Sequence, residues 1–158
     1  MITQRCRLVR PSLSDKVDLI KLFSNEHTRR FLGGKQSDEA IKARCSTLFL
    51  DTKGYHASVR SRQTNEFLGL LGVSPYHDAS QFELSYEFLP EHWGRGYAEE
   101  TLRTFLPTAM QKLGISSVLA ETQLQNTRST NLLKKLGMKP LRELERFGVR
   151  QVIYRFDG

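Results

Sequence analysis

The sequence predicts one mixed α/β domain of the α+β kind, with about seven strands and four helices. Their order is strand, two helices, three strands, helix, strand, helix, two strands. Three observations lead there. Phe82, Leu84, Tyr86 and Phe88 alternate with Gln81, Glu83, Ser85 and Glu87, the period of two that marks a strand. Leu102, Phe105, Leu106, Ala109, Met110 and Leu113 fall at i, i+3, i+4, i+7, i+8 and i+11, which is one face of a helix. The chain has 158 residues, 39% hydrophobic and 26% charged, and so has the length and composition of a single globular core (domain 1–158).

Gln4 to Val9 reads as the first strand, closed by Pro11. Ser12 can cap a helix, with Asp15 three residues on, and Val17, Ile20 and Phe23 form its apolar stripe. Gly33-Gly34 breaks the chain. Ser37, Asp38 and Glu39 open a second helix that carries Ala40, Ile41, Arg44 and Leu48 and ends at Gly54. Tyr55 to Val59 and Phe67 to Val73 flank the polar turn Ser61-Arg62-Gln63-Thr64-Asn65 as a hairpin. His77-Asp78-Ala79-Ser80 turns the chain into the alternating strand, which Pro90 stops. Trp93-Gly94-Arg95-Gly96 leads into the long helix, where Pro107 predicts a kink and Gly114 the end. Ser117 to Gln123 is a strand. Asn126 to Leu136 is a short helix with Leu132, Leu133 and Leu136 inward, closed by Gly137. Pro140 to Arg146 and Arg150 to Phe156 form a last hairpin, turned at Phe147-Gly148.

Composition removes several classes of function. No apolar run approaches the ~20 residues of a membrane span. The start, Met1-Ile2-Thr3-Gln4-Arg5-Cys6, lacks the apolar stretch of a signal peptide, so the expected location is cytoplasmic. Cys6 and Cys45 make neither a disulfide framework nor a zinc site and read as buried, inert thiols. His27, His56, His77 and His92 have no metal-binding spacing, so no metal is expected. Lys and Arg number 24 against 17 Asp and Glu, a net charge of +7. That excess admits nucleic acid, an acidic partner or a phosphate-rich cofactor. No recognition helix or interleaved basic-aromatic strand supports nucleic acid.

Two segments carry chemistry. In Phe88-Leu89-Pro90-Glu91-His92-Trp93-Gly94-Arg95-Gly96-Tyr97-Ala98 a strand passes through a Gly-rich turn into a helix. Free N–H groups and the dipole at a helix start form an anion site, and glycines let a phosphate approach the backbone. The spacing is neither that of a nucleoside-triphosphate loop nor that of a dinucleotide loop. In Asn126-Thr127-Arg128-Ser129-Thr130-Asn131-Leu132-Leu133-Lys134-Lys135-Leu136-Gly137-Met138, Asn126 and Ser129 read as helix-capping residues.

Together, in this element order, the two segments resemble the GCN5-related N-acetyltransferase (GNAT) family. Within it they resemble the ribosomal-protein-alanine acetyltransferase (RimJ/RimL-like) branch. The family's phosphate pattern falls on Trp93 to Ala98, and its Asn-x-x-Ser and Leu-Gly-Phe pattern falls on Asn126, Ser129 and Leu136-Gly137-Met138. Trp93 departs from the general Gln or Arg, and Leu133 stands where many members have a tyrosine that protonates the leaving thiolate.

The resemblance implies a central, mostly antiparallel twisted sheet of about seven strands, a splayed parallel pair in its middle, and helices on both faces. It implies acetyl-coenzyme A as donor and a primary amine as acceptor, with a homodimer possible. The pyrophosphate would sit on the N–H groups of Arg95, Gly96, Tyr97 and Ala98, behind Trp93 and Gly94. The pantetheine arm would lie between the Glu83–Phe88 and Ser117–Gln123 strands, bonded by backbone groups at Phe88 and Leu89 and reached by Asn126 and Ser129. Lys134 or Lys135 would touch the 3′-phosphate, and Phe31, Leu32 and Tyr55 would line the acceptor pocket.

Attack requires a neutral amine, a polarised carbonyl and, at the end, a proton for the thiolate. Glu83 is the candidate base, through a water, with Glu87 in reserve. Ser129 is the candidate acid, and Asn126 is grouped with them as a catalytic residue. An α-amine (pKa ~7.8) suits a carboxylate base better than lysine (~10.4) does, which favours peptide N-termini or small amines. The gap at Leu133 leaves a second reading open, a non-catalytic acyl-CoA sensor on the same fold.

Overall fold

The computed structural model describes residues 1–158. Its strands are β1 (Cys6–Val9), β2 (Tyr55–Ser61), β3 (Phe67–Pro75), β4 (Phe82–Phe88), β5 (Ser117–Gln123), β6 (Lys139–Arg146) and β7 (Val149–Asp157). Its helices are α1 (Lys16–Ser24), α2 (Glu26–Arg29), α3 (Asp38–Leu50), α4 (Tyr97–Leu113) and α5 (Thr127–Lys135). The strands form one seven-stranded sheet in the order β1-β2-β3-β4-β5-β7-β6. Every neighbouring pair is antiparallel except β4 and β5.

Helices cover both faces. On one, Leu102, Phe105, Leu106, Ala109 and Met110 of α4 are buried as their spacing predicts, against Leu71 and Val73 of β3 and Leu84 and Phe88 of β4. On the other, Leu19, Leu22 and Phe23 of α1 pack with Ile41 and Cys45 of α3 over Phe67 and Leu70. The stripe expected on α1 is therefore displaced. Val17 is 79% exposed and Ile20 36% exposed. A short 3₁₀ turn at Leu13–Asp15 precedes α1 and sets its rotation, so the i, i+3, i+4 set of Leu19, Leu22 and Phe23 faces the sheet. Helix α2 is an element the sequence pattern does not announce. Helix α4 runs unbroken through Pro107, which lies on its exposed side, where the carbonyl left without an intrahelical partner can meet water. The closing hairpin turns at Phe147 (φ 54) and Gly148 (φ 71), the positive-φ pair of a tight hairpin.

Two consequences of the sheet position the site. First, β4 and β5 pair at only one register position, Glu83 with Leu119. From there the strands diverge toward their C-terminal ends, which lead into the Gly-rich turn and into α5. A crevice at the carboxyl ends of parallel strands is where open α/β sheets take ligands. Second, the strand alternation puts Glu83, Ser85 and Glu87 on the α1–α3 face, with His56 of β2 and Gly72 of β3 in the same row.

Gly72 makes that row possible. A Cβ there would stand 2.5 Å from His56 Nδ1 and 3.0 Å from Ser85 Oγ. Overpacking of this kind costs about 1–3 kcal/mol, and about 2–4 °C of Tm accompanies each kcal/mol in a chain of this size. Thermal unfolding of Gly72→Ala should therefore show a midpoint several degrees below wild type. The double variant Gly72→Ala/His56→Ala, which vacates the ring, should recover part of the loss.

Candidate active site

The Gly-rich turn is built for a backbone cradle. Gly94 and Gly96 hold φ of 71° and 78°, the left-handed region that side chains rarely adopt. Gly96 is the N-cap of α4 and has no side chain to satisfy the first N–H groups. The first i→i−4 bond inside the turn is Glu100 N–H to Gly96 C=O. The N–H groups of Tyr97, Ala98 and Glu99 therefore point out of the helix start, where the dipole is positive.

The turn is anchored from the segment just before β1. Arg5 donates to the Arg95 carbonyl (2.9 Å), pairs with Glu100 (2.6 Å) and lies over the Tyr97 ring (4.4 Å). Glu100 also accepts from Thr3 Oγ1 (2.6 Å) and the Arg5 N–H (2.7 Å), and these bonds hold its carboxyl below the ordinary glutamate range. Glu99 is drawn off by Arg103 (2.9 Å) and Lys135 (3.7 Å). Both first-turn carboxylates are thus neutralised locally and do not oppose an anion at the cradle.

Trp93 stands behind the turn, its indole N–H donating to the Phe88 carbonyl (2.8 Å) and its ring covered by Arg128 (4.8 Å). Thr28 donates to the same carbonyl (3.3 Å), and the Leu89 N–H donates to Leu68 (3.0 Å). The Phe88 carbonyl and the Leu89 N–H are thus engaged within the protein. Lys134 is exposed, on the last turn of α5.

Across the β4–β5 crevice, Asn126 caps α5 by accepting the Ser129 N–H (3.2 Å). The Ser129 hydroxyl meets the phenol of Tyr86, which projects from β4. Burial pushes the Tyr86 phenol up to about 12, so it stays protonated. Leu133, one turn after Ser129, is fully buried in the core. A phenol from β4 thus reaches the first turn of α5, one turn before Leu133. Nothing in the alternation separates Tyr86 from its core neighbours; only its place beside the diverging pair does.

Glu83 lies at the narrow end of the crevice, on the other face. Burial first, and the charge of Glu121 second, push its carboxyl up to about 7, against the pull of the Glu121 N–H and of Arg146. Glu121 itself is clamped by Arg146 (2.7 Å) and the Tyr76 hydroxyl (2.6 Å), contacts that keep it ionised. Glu87 is in a different state. It is 6% exposed and ion-paired with Arg44, with Arg29 at 3.8 Å. The reserve carboxylate is thus tied to two guanidiniums.

Arg29 is buried (8% exposed) because it closes the loop after α2 by donating to the Gly34 (3.1 Å) and Leu32 carbonyls. Tyr55 does not face the α1–α3 side. It stacks on Phe105 of α4 (5.7 Å), and by alternation His56 takes the α1–α3 face instead. Phe31 and Leu32 lie in the loop after α2, Phe31 half-buried and Leu32 exposed. Cys6 and Cys45 are free and buried. No group of three or more His, Cys, Asp or Glu side chains is arranged to hold a metal ion, and no helix is long and apolar enough to cross a membrane.

Known proteins share this fold. The family model described as an acetyltransferase (GNAT) domain matches residues 5–139. The uncharacterized N-acetyltransferase YoaA of Bacillus subtilis (strain 168) is 28% identical over 147 residues, covering 87% of this chain and 81% of its own. The uncharacterized N-acetyltransferase p20 of Bacillus licheniformis is 23% identical over 167 residues, covering 99% and 94%. Among solved structures, a GNAT-family acetyltransferase from Bacillus anthracis superposes with a TM-score of 0.84 at 16% identity, covering 99% of this chain and 97% of that one. Spermidine N-acetyltransferase from Vibrio cholerae, solved with CoA and spermine, superposes with a TM-score of 0.83 at 16% identity, covering 96% and 95%.

Proposed function

The chain belongs to the GNAT acetyltransferase family, and from that premise we propose that it moves the acetyl group of acetyl-CoA onto a primary amine. The acceptor in this reading is a peptide N-terminal α-amine or a small amine of similar pKa, attacking directly in a ternary complex. The observation that carries the reading is Glu83, a carboxyl pushed up to about 7 beside a crevice whose far end is a phosphate cradle.

The residues suit the donor. Backbone N–H groups and Arg95 at the head of α4 offer the donors a diphosphate needs, and the crevice between β4 and β5 would take the pantetheine arm. Bound there, acetyl-CoA supplies an activated acyl group on a thioester. The amine attacks in its neutral form, and ionised Glu83 takes the proton that the nitrogen loses as the C–N bond forms, directly or through a water. The Glu83 value lies within about one unit of an α-amine (~7.8) and more than three below lysine (~10.4), so where Glu83 is ionised an α-amine is already substantially neutral and is the easier acceptor. Tyr86 and Ser129 form a hydroxyl pair that can donate a proton on the leaving side. The pair supports an active transferase over the sensor reading that the gap at Leu133 leaves open. Trp93 at the head of the loop and Glu83 on its strand favour the RimJ/RimL-like branch.

The test is thiol release from acetyl-CoA with a panel of N-terminal peptides and small amines at pH 8. Turnover above a Gly96→Glu control is expected with α-amines, and Tyr86→Phe should lower kcat while leaving acetyl-CoA affinity in place. Tight acetyl-CoA binding with no release on any amine would sink the reading in favour of a sensor.

A further inference from the structure

A cleft of about 390 Å³ opens on the α1–α3 face of the sheet, lined among others by Arg44, Asp51, His56, Leu70, Ser74 and Ser85. It leads to the base: Ser74 lies opposite Glu83 across β3 and β4, and Ser85 is two residues along the same strand face. The charged groups of the cleft differ in how fully they are satisfied. Asp51 accepts from the His56 ring (2.7 Å) and from the N–H groups of Lys53 (2.8 Å) and Gly54 (3.2 Å). Its charge is met inside the protein.

Arg44 is only half met. Nη2 pairs with Glu87, and the guanidinium lies over the Phe23 ring, 3.8 Å from its centroid, which fixes its plane. Nη1 is buried and has no hydrogen-bond partner. Arg29 stands 3.8 Å from the other Glu87 oxygen, beyond hydrogen-bond reach, so two guanidiniums flank one carboxylate. A buried charged donor without an acceptor is an unfavourable state that an anionic ligand group would relieve.

We infer that the cleft holds the body of the acceptor and that Arg44 selects acceptors bearing a carboxylate a few bonds from the reacting amine, as in a short peptide, over polycations. The inference rests on the reading of Glu83 as the base. Spacing sets the ligand size. Arg44 grips Glu87, four residues along β4 from Glu83, which is roughly 13 Å of extended strand. With about 3 Å taken up by the hydrogen bond at each end, the ligand's amine and carboxylate lie roughly 7 Å apart, more than a single α-amino acid spans and about the length of a di- or tripeptide. The same inventory tells against a polyamine. On this face Glu87 and Glu121 are held by arginines and Asp51 by His56, leaving Glu83 alone to meet several positive charges.

Calorimetric titration of the full chain with trialanine, its C-terminal amide and spermidine tests this without turnover. Trialanine should bind at least ~10-fold tighter than the amide, the scale of one charge-assisted bond. In Arg44→Gln/Glu87→Gln, which removes both charges of the buried pair together, the preference should collapse. A thermal midpoint near wild type would show that this variant is folded, and Arg44→Lys, which keeps the charge and the Glu87 pair, should retain part of the preference. Equal binding of acid and amide, tighter binding of spermidine, or a preference unchanged in the folded double variant would overturn the inference. Thiol release measured alongside separates the two levels. Acetylation of spermidine and amides with no preference for the free carboxylate overturns the inference and leaves the transferase standing. Carboxylate-dependent binding with no release from any amine upholds Arg44 and overturns the transferase.

Discussion

Glu83→Gln should lower kcat by about 10²–10³ with an α-amine acceptor and remove one proton from the pH profile. In the wild type, kcat/KM requires both Glu83 ionised, with its value near 7, and the amine neutral. Below pH 7 its logarithm should therefore fall with a slope of two; in the Gln variant the slope should be one, set by the amine alone. The same substitution should stabilise the fold at high pH. The folded-state value lies above the ordinary 4.5, so the folded protein binds an extra proton between about 4.5 and 7. Stability from this group is then present below pH 4.5 and lost as pH rises through 7. Above pH 7 a half-buried ionised carboxylate beside Glu121 opposes folding. Urea titrations at pH 8 should find Glu83→Gln more stable by about 1–3 kcal/mol, with the difference closing by pH 5. A single-slope wild-type profile, or a Gln variant that is no more stable at pH 8, would show that Glu83 is neither the base nor the strained group.

How legible this was from the sequence depended on whether a feature is local. The alternation through β4, the stripe on α4 and the Phe147-Gly148 turn are set by neighbours within a few residues, and each stands where its pattern predicted. The Gly-rich turn with its uncapped helix start is local too, because two glycines and the first turn of α4 are contiguous in the chain. What escaped is what the sheet assembles from distant segments. Glu83 and Glu87 are alike in sequence, two positions on one strand face. Only tertiary packing puts Arg44 and Arg29 against the second and leaves the first facing Glu121. Tyr86 looked like one more inward aromatic until α5 was seen to bring Ser129 across the crevice. Arg44 read as part of a helical stripe, and its partner lies 43 residues away. The rotation of α1 was missed for a related reason: one 3₁₀ turn decides which of two apolar sets faces inward.

Gly96→Glu should abolish measurable acetyl-CoA binding, with Kd rising at least ~100-fold, while the fold survives. Three effects combine. Gly96 sits at φ +78°, and a side chain there costs on the order of 1 kcal/mol of backbone strain. A carboxylate at the N-cap would also accept the very N–H groups of α4 that the cradle offers, replacing an external anion with an internal one. It would finally place a negative charge in the turn proposed to take the diphosphate. The two carboxylates already in the first turn do no such harm, because Glu100 is turned onto Arg5 and Thr3 and Glu99 onto Arg103 and Lys135. A third has Arg5 as its nearest cation, 3.4 Å from where the Cβ would sit, and taking it would release Glu100 and the anchor on the Arg95 carbonyl. Gly96→Asn is the control. Asparagine tolerates the left-handed region and carries no charge, so it isolates the strain from the electrostatics. Equilibrium titration with acetyl-CoA should rank wild type above Asn and Asn well above Glu, with melting midpoints within a few degrees of one another. If Asn and Glu lose affinity equally, backbone shape alone makes the site. If neither loses it, the cofactor does not bind at the head of α4.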